Sequence, residues 1–210
     1  MSGKLVYVMG PSGAGKDTLL RGVSRELSRN SRQAVVFMRR YITRPADSGG
    51  ERHHPLSREE FLRRAEADFF ALSWESHGLF YGIGKELDEV LSTGATAVVS
   101  ASRVYLPKAL RRYPGLIPIL ITAREELLRE RLRTRAREDA AGIEERLSSA
   151  GMKMDGASGL ITIDNSGRIE TAQDCFMEVL RRVQILSPFD GANSTARKNI
   201  ENRHAIEQKP

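Results

Sequence analysis

Short apolar runs alternate with amphipathic stretches along most of this chain. Six runs have the mainly apolar composition of buried strands. They are residues 4–9, 35–38, 69–72, 97–100, 116–121 and 160–163. Pro118 is expected to weaken the middle of the fifth run. Because helical patterns separate these runs, the chain is predicted to adopt an α/β fold, with a parallel sheet and helices on both faces.

The helices are delimited by apolar spacing and by end signals. Apolar residues recur at helical spacing after position 16, which predicts a helix directly behind a glycine-rich loop. Ser57 and Glu60 form a predicted capping box that opens a second helix. A further helix is predicted over residues 125–137. Thr171 and Asp174 are placed for another capping box, which predicts that the last helix begins at Thr171 and ends near residue 186.

The first predicted strand leads into a phosphate-binding loop, Gly10-Pro11-Ser12-Gly13-Ala14-Gly15-Lys16-Asp17. In the pattern G-x-x-x-x-G-K-[ST], backbone N–H groups and the lysine hold the phosphates of a nucleoside triphosphate, and the final hydroxyl holds Mg²⁺. Here a carboxylate, Asp17, replaces that hydroxyl, and Thr18 follows it. The flanking strand and helix favour a triphosphate site over a glycine-rich turn that binds nothing.

The composition is that of an ordinary globular protein, since 40% of the 210 residues are hydrophobic and 29% are charged. We expect one domain over residues 1–186 and a polar, aperiodic tail over 187–210 that is disordered. No apolar run is long enough to span a bilayer, and no secretion leader is recognisable. The single cysteine, Cys175, suits a reducing cytoplasm, and its apolar helical surroundings predict a buried, inert thiol.

The net charge of +6 comes mostly from arginine and has two interpretations. It could mark a nucleic-acid surface, or a pocket for the phosphates of small molecules. The arginines are spread along the chain without interleaved aromatic residues, which favours the phosphate pocket. We therefore expect neither nucleic acid nor a membrane as a partner. His53 and His54 lack a third suitably spaced ligand, so we predict no metal site at the histidines.

Two groups of arginines could bind such phosphates. Arg40 and Arg44 follow the second predicted strand, at the carboxyl edge where α/β sheets bind ligands. Arg131 and Arg135 share one face of the 125–137 helix, and Arg146 follows a glycine-containing break, as in a flap that closes over a reaction. Each group also has an ordinary interpretation, as surface arginines at a strand exit or as a solvated basic helix face.

Further segments complete a pattern that extends well beyond the loop. They are RYITR at 40–44, LSW at 72–74, HGLFYG at 77–82, SR at 102–103 with LP at 106–107, an arginine-rich stretch at 131–147 and IDNSG at 163–167. In this order the segments resemble the ribose 1,5-bisphosphate phosphokinases, the guanylate-kinase-like enzymes of bacterial phosphonate catabolism. The resemblance covers about residues 3–186. The loop alone is generic, whereas the other segments in order are specific.

The resemblance implies a three-layer P-loop NTPase fold like that of nucleoside monophosphate kinases. An acceptor-binding insertion is expected at about residues 40–85 and an arginine-rich lid at about 131–148. The implied reaction transfers a phosphoryl group from ATP to the 1-phosphate of α-D-ribose 1,5-bisphosphate, giving 5-phospho-α-D-ribose 1-diphosphate and ADP. The expected cofactors are ATP and Mg²⁺, and the oligomeric state is left open. Because the acceptor is an ionised phosphate, no general base is required.

The resemblance also implies a role for each candidate residue. Residues 10–15 and Lys16 would hold the β- and γ-phosphates, and Asp17 or Thr18 would meet Mg²⁺ directly or through water. The residues assigned to the acceptor's phosphates are Arg40, Arg44, Tyr81 and Arg103. Those assigned to the transferring group are Arg131, Arg135 and Arg146. Asn165 would approach the adenine.

Guanylate kinase is the alternative that shares most of these segments, and several positions separate the chain from it. Asp17 stands where guanylate kinases carry Ser or Thr, and Asp47 stands at the place of a second acceptor-loop arginine. Leu72 and Ser73 lie near the place of the glutamate that reads guanine, and Ile83 stands at the place of a hydroxyl. A pocket without those polar groups cannot discriminate guanine. A sugar bisphosphate has no base to read.

Two other classes of function are weighed against a kinase. A non-catalytic guanylate-kinase-like module that binds phosphorylated partners would lack the loop lysine and the lid arginines, and this chain has both. A nucleic-acid-binding ATPase would show hydrolysis stimulated by RNA or DNA, with a steep dependence on salt. The sequence therefore favours a small-molecule kinase.

Overall fold

The computed structural model describes residues 3–30, 34–46, 51–135 and 159–185. The strands in these ranges are β1 Leu5–Met9, β2 Val35–Phe37, β3 Tyr41–Ile42, β4 His54–Pro55, β5 Phe70–Ser76, β6 Leu79–Gly84, β7 Thr96–Ser100, β8 Ile117–Thr122 and β9 Ile161–Asp164. The helices are α1 Lys16–Asn30, α2 Arg58–Glu66, α3 Glu86–Ser92, α4 Leu106–Arg112, α5 Glu125–Arg135 and α6 Ile169–Ile185.

Five parallel strands form the central sheet in the order β2-β7-β1-β8-β9. Helices α1, α5 and α6 pack on one face of this sheet, around Val8, Leu19 and Phe176. Helices α3 and α4 cover the other face, around Tyr7 and Leu87. Apolar burial on both faces explains why the strands read as continuous hydrophobic runs. The predicted α/β fold with a central parallel sheet is confirmed.

A second sheet of four strands, in the order β4-β3-β6-β5, is built from residues 41–84. Strand β6 pairs antiparallel to both β3 and β5, whereas β3 and β4 are parallel. One face of this sheet packs on α2 through Phe61, Phe70 and Tyr41. The other face contributes Leu72 and Ile83 to the core that α3 also contacts. That core also contains Met9, the last residue of β1, and Met38, which follows β2, so this sheet lies beside the carboxyl edge of the central one.

The helix ends and Pro118 can be compared with the sequence prediction. The predicted helix start at Ser57 is confirmed, because its side chain accepts a hydrogen bond from the Glu60 N–H as an N-cap, while the Glu60 carboxylate pairs with Arg63 and Arg64. The capping box at Thr171 is wrong, because α6 already begins at Ile169 and Thr171 lies inside its first turn. Pro118 lies within β8 opposite Tyr7, one residue before pairing with β9 starts, so its missing N–H does not interrupt the strand.

The prediction of a buried thiol is also wrong, because Cys175 is exposed on the polar side of α6. Within the described ranges, no helix combines the length and apolar character needed to cross a membrane. Some predictions fall on residues outside those ranges. They are the tail at 187–210, Arg146 with most of the predicted 131–148 lid, and the comparison at Asp47.

Candidate active site

The phosphate-binding loop joins β1 to α1 and depends on glycine at two close approaches. A Cβ atom on Gly10 would lie 2.2 Å from the Ile121 carbonyl oxygen of β8. Gly15 has a φ of 82°, and a Cβ there would lie 2.4 Å from Nδ2 of Asn165. Because side chains are excluded at both positions, the loop folds tightly against the sheet. The N–H groups of the first turn of α1 are thereby presented to an anion.

Lys16 is the first residue of α1, and its ammonium group folds back over the loop. Its Nζ donates hydrogen bonds to the carbonyl oxygens of Gly10, at 2.8 Å, and Pro11, at 3.0 Å. The pKa of Lys16 is lowered to about 8, mainly by burial; the positive charges of Arg40 and Arg103 contribute to the lowering, and the negative charges of Asp17 and Glu51 oppose it. The loop lysine therefore lies within electrostatic reach of the predicted acceptor arginines.

Arg131 and Asn165 donate hydrogen bonds to the backbone of the phosphate-binding loop. Arg131, on α5, donates to the carbonyl oxygens of Gly13, at 3.2 Å, and Asn165, at 3.4 Å. Asn165 follows β9, is 2% exposed, and donates from Nδ2 to the Ala14 carbonyl oxygen at 2.7 Å. A predicted lid arginine and the predicted adenine residue thus meet at the loop itself.

A cavity of about 520 Å³ opens beside this contact. Its lining includes Gly13, Gly15, Thr18, Arg131, Asn165 and Ile169. The size and the mixed polar and apolar lining suit a nucleoside-sized ligand. The cavity adjoins the amides of the phosphate-binding loop, so one ligand could occupy both.

Arg40 lies at the carboxyl edge of the central sheet, between β2 and β3. Its guanidinium pairs with both carboxylate oxygens of Glu51, with Nε 3.0 Å from Oε2. It also lies over the Tyr81 ring, 5.3 Å from the ring centroid, and Tyr81 stacks on Trp74. Both partners of the ion pair are largely buried, with side chains 14% and 15% exposed. The ion pair and the aromatic ring hold the guanidinium in one position, and a planar fork of this kind can bind a carboxylate or a phosphate.

Arg103 extends this charged group from the loop after β7. The side chain is half-buried, and burial lowers its pKa from the ordinary value. Beneath it, the hydroxyl of Tyr7 donates to the Ser102 carbonyl oxygen at 2.8 Å, and burial raises the pKa of Tyr7. The phenol is therefore a neutral hydrogen-bond donor that holds the backbone beside Arg103.

Arg44 lies on the far side of β3, in a different environment from Arg40. Its Nε and Nη2 atoms are buried and have no hydrogen-bond partner in the described part of the chain. The side chain lines a cavity of about 400 Å³ together with Ser57, Arg58 and Gly78. Nε2 of His53 lies 2.9 Å from the Arg44 carbonyl oxygen, and Nδ1 lies 3.2 Å from that of Glu51. The His53 ring therefore links the backbone at Arg44 with the backbone at Glu51.

The positions compared with guanine-reading groups are occupied by core side chains. Leu72 and Ile83 are direct partners across β5 and β6, and they are 1% and 0% exposed. Both pack in the apolar cluster that contains Trp74 and Leu87. The neighbouring Ser73 donates its backbone N–H to the Tyr105 hydroxyl at 3.4 Å. Leu72 and Ile83 offer neither a carboxylate nor a hydroxyl to a purine.

Comparison with proteins of known name identifies the family. A ribose 1,5-bisphosphate phosphokinase PhnN from Desulfomicrobium baculatum is 52% identical over 164 residues, covering 78% of this chain and 87% of the relative. The protein of the same name from Thiobacillus denitrificans is 44% identical over 190 residues, covering 90% and 96%. The chain belongs to the ribose 1,5-bisphosphate phosphokinase family. No family model matches it.

Solved structures of other kinases have a similar fold to this chain. Guanylate kinase from Anaplasma phagocytophilum is similar with a TM-score of 0.60 at 22% identity, covering 97% of this chain and 96% of its own. A sugar kinase from Janibacter gives a TM-score of 0.51 at 18% identity, covering 85% and 95%. At these identities the likeness establishes the fold alone, and the predicted guanylate-kinase-like P-loop fold is confirmed.

The oxygen donors of this site fit Mg²⁺ bound together with phosphates. Within the described ranges, no three His, Cys, Asp or Glu side chains converge as a metal cage. Mg²⁺ in kinases is bound through few protein oxygens, with phosphates and waters completing the octahedron. Asp17 and Thr18 both lie in the first turn of α1. The buried hydroxyl of Ser100, which has no hydrogen-bond partner in the described part of the chain, lies at the end of β7.

Sequence reasoning did not assign three residues of this site. Glu51 was not assigned, because the ten positions between it and Arg40 carry no periodic signal that would pair the two residues. His53 was considered only as a metal ligand, whereas its ring nitrogens lie beside backbone carbonyl oxygens. Ser100 was read as the end of a buried strand. The structure describes the backbone of Arg135 but not its side chain, and Arg146 lies outside the described ranges.

Proposed function

We propose that this protein transfers the γ-phosphoryl group of ATP to the 1-phosphate of α-D-ribose 1,5-bisphosphate. The products are 5-phospho-α-D-ribose 1-diphosphate and ADP. Its family membership supports this assignment, because the relatives carry the name of that activity. The observation that carries it within the chain is the buried Leu72–Ile83 pair, which leaves these positions without the polar groups that a guanine base requires.

The triphosphate is assigned to the loop and to the cavity beside it. Amides of residues 10–15 would hold the phosphates, and the nucleoside would occupy the cavity between Thr18 and Asn165. Lys16 would exchange its contacts with the Gly10 and Pro11 carbonyls for the β- and γ-oxygens. Mg²⁺ bound with ATP would neutralise phosphate charge, with Asp17 or Thr18 as the nearest candidate ligands.

The acceptor is assigned to Tyr81 and to three arginines outside the phosphate-binding loop, Arg40, Arg44 and Arg103. Arg40, Arg103 and Tyr81 would bind the phosphate that receives the phosphoryl group, because their charges and ring lie on the Lys16 side of the site. Arg44 would bind the second phosphate of the bisphosphate, which would supply partners for its buried nitrogens. Two phosphates on one small sugar require this surplus of cations.

Catalysis would consist of alignment and charge compensation. An oxygen of the 1-phosphate attacks the γ-phosphorus, a new P–O bond forms, and the bond to the β-phosphate oxygen breaks, leaving ADP. The attacking oxygen is already ionised, so no side chain has to remove a proton. Arg131 would leave its contacts with Gly13 and Asn165 to meet the developing charge, with Arg135 and Arg146 completing the lid. We propose that the protein acts in phosphonate catabolism in the cytoplasm, with small molecules as its partners.

Product analysis tests this proposal. The protein is incubated with MgATP and ribose 1,5-bisphosphate, and ³¹P NMR follows the anomeric phosphate. The expected result is loss of the 1-phosphomonoester signal and appearance of coupled diphosphate signals in equal amount to the ADP formed. A Lys16→Met variant, which retains the alkyl stem, is the matched control and should give neither. ATP consumption without a sugar diphosphate would refute the proposal.

A further inference from the structure

The hydroxyl of Ser100 is a polar group whose surroundings do not account for it. Ser100 is the last residue of β7 and is 7% exposed. Its Oγ has no hydrogen-bond partner within the described ranges, although neighbouring backbone groups are paired, as in the Ala101 N–H bond to the Val8 carbonyl at 2.8 Å. Buried hydroxyls almost always have a partner, and an orphan one often marks a bound ion or ligand.

The register of the sheet places this hydroxyl next to the phosphate-binding loop. Strand β7 pairs with β1, and Ser100 stands opposite Val8, two residues before Gly10. Side chains alternate between the faces of a strand, so Ser100 shares its face with Val98. Val98 packs in the cluster that contains Leu19 of α1. The Ser100 hydroxyl therefore lies on the sheet face that the first turn of α1 covers, and that turn carries Lys16 and Asp17.

Many P-loop enzymes hold Mg²⁺ with two protein oxygens of different kinds. One is the hydroxyl that follows the loop lysine, and the other is an aspartate carboxylate contributed by a strand. In this chain the carboxylate follows the lysine, as Asp17, and the strand beside β1 ends in a hydroxyl, Ser100. The same two donors are present with their positions exchanged, and the number of negative charges is unchanged.

We propose that Ser100 and Asp17 together form the protein side of the magnesium site, with the hydroxyl binding the ion directly or through a water. This inference rests on the proposed use of ATP. It also selects Asp17 over Thr18 as the loop ligand. Thr18 is exposed and lines the nucleoside-sized cavity with Ile169. In contrast, the charge of Asp17 acts directly on Lys16, the residue that is proposed to bind the phosphates.

Binding of Mn²⁺ to the complex with a non-hydrolysable ATP analogue tests the site without turnover. Electron paramagnetic resonance gives the Mn²⁺ dissociation constant for the wild type, S100A, D17T and the double variant D17T/S100D. S100A loses the hydroxyl ligand, and D17T loses the carboxylate charge and leaves two hydroxyls, so each is expected to weaken Mn²⁺ binding by about tenfold or more. The double variant restores the usual arrangement, and its affinity should return to within a few-fold of wild type.

Controls separate metal binding from folding and from the proposed reaction. Thr96 is 3% exposed on the same face of β7, and T96V should leave the Mn²⁺ affinity unchanged. S100A removes a hydroxyl that has no partner among the described residues, so it should fold as wild type does and bind the analogue equally well without metal. Equal Mn²⁺ affinity in S100A and wild type would overturn the proposal, whatever the double variant does. No acceptor is present, so failure here is distinct from failure on ribose 1,5-bisphosphate.

Discussion

The side chain of Asn165 supports the phosphate-binding loop from beneath, through a 2.7 Å hydrogen bond from Nδ2 to the carbonyl oxygen of Ala14. The two residues are 151 positions apart, and the contact joins the end of β9 to the loop after β1. A Cβ atom on Gly15 would collide with the same amide. The loop conformation that presents its N–H groups to phosphate therefore depends on a residue of the last strand.

Replacing Asn165 by Ala should loosen this loop. The Ala14 carbonyl would lose its buried donor, which costs about 1–3 kcal/mol of unfolding free energy, and the KM for ATP should rise more than kcat falls. Urea unfolding and steady-state kinetics measure the two effects. Thr162, which is exposed on β9, provides the control T162A, with neither change expected. Wild-type stability in N165A would show that the hydrogen bond contributes nothing.

Lys16 should take up a proton when ATP binds in mildly alkaline solution. Its pKa of about 8 in the free protein lies below the ordinary 10.5, so at pH 9 most of the Lys16 side chain is a neutral amine. Phosphates favour the charged form and raise the pKa, which draws in a proton on binding. Calorimetry of ATP binding at pH 9 in buffers of different ionisation enthalpy measures this uptake, which should vanish at pH 6.

The Lys16→Met variant sets the reference for that measurement. It cannot titrate at this position, so its residual proton uptake reports all other groups. Equal uptake in K16M and wild type would exclude Lys16 as the source. Affinity for ATP in the wild type should fall as pH rises through 8 and beyond, because less of the lysine is charged.

Arg40 should not be replaceable by lysine. Its fork pairs with both oxygens of Glu51 and lies over Tyr81, and an ammonium group reproduces neither contact. We expect R40K to raise the KM for the acceptor by about tenfold or more, roughly 1.4 kcal/mol, with little change in the KM for ATP. R39K, at the adjacent arginine, is the matched control. A similar acceptor KM in both variants would argue against Arg40 as a phosphate ligand.

Arg44→Met should raise stability and weaken acceptor binding together. The free protein buries two guanidinium nitrogens without partners in its described part, and removing them relieves about 1 kcal/mol or more. The same substitution removes a ligand of the acceptor's second phosphate. Urea unfolding and the acceptor KM report these opposite effects. Arg58→Met, at an exposed arginine of the same cavity, should not be stabilising. Reduced stability with an unchanged acceptor KM in R44M would contradict this prediction.

The sequence predicted those parts of the fold that have a local signal. All five strands of the central sheet were identified, because burial on both faces leaves uninterrupted apolar runs. Strands β3 and β4 were missed because two residues cannot show a period, and β6 because two glycines interrupt it. Helix α4 was missed because it is short and has Pro107 in its first turn. The error at Thr171 arose because a cap-like pair also occurs inside a helix.

The candidate site was predictable only as separate motifs. The loop, Arg40, Arg131 and Asn165 each carry a recognisable sequence context, but nothing local shows that Arg131 and Asn165 contact the same loop. The pairing of Arg40 with Glu51 and the burial of the Ser100 hydroxyl depend on packing between distant segments. Cys175 shows the same limit, since an apolar neighbourhood in sequence did not reveal which side of α6 the thiol occupies.

The preference for a sugar bisphosphate over a nucleotide is the central claim, and a comparison of kcat/KM tests it most directly. Initial rates of ADP formation are measured at saturating MgATP with ribose 1,5-bisphosphate and, separately, with GMP. Because Leu72 and Ile83 leave a guanine without hydrogen-bond partners at these positions, the ratio should favour the bisphosphate by roughly 10³-fold or more. A kcat/KM for GMP equal to or above that for ribose 1,5-bisphosphate would contradict the account.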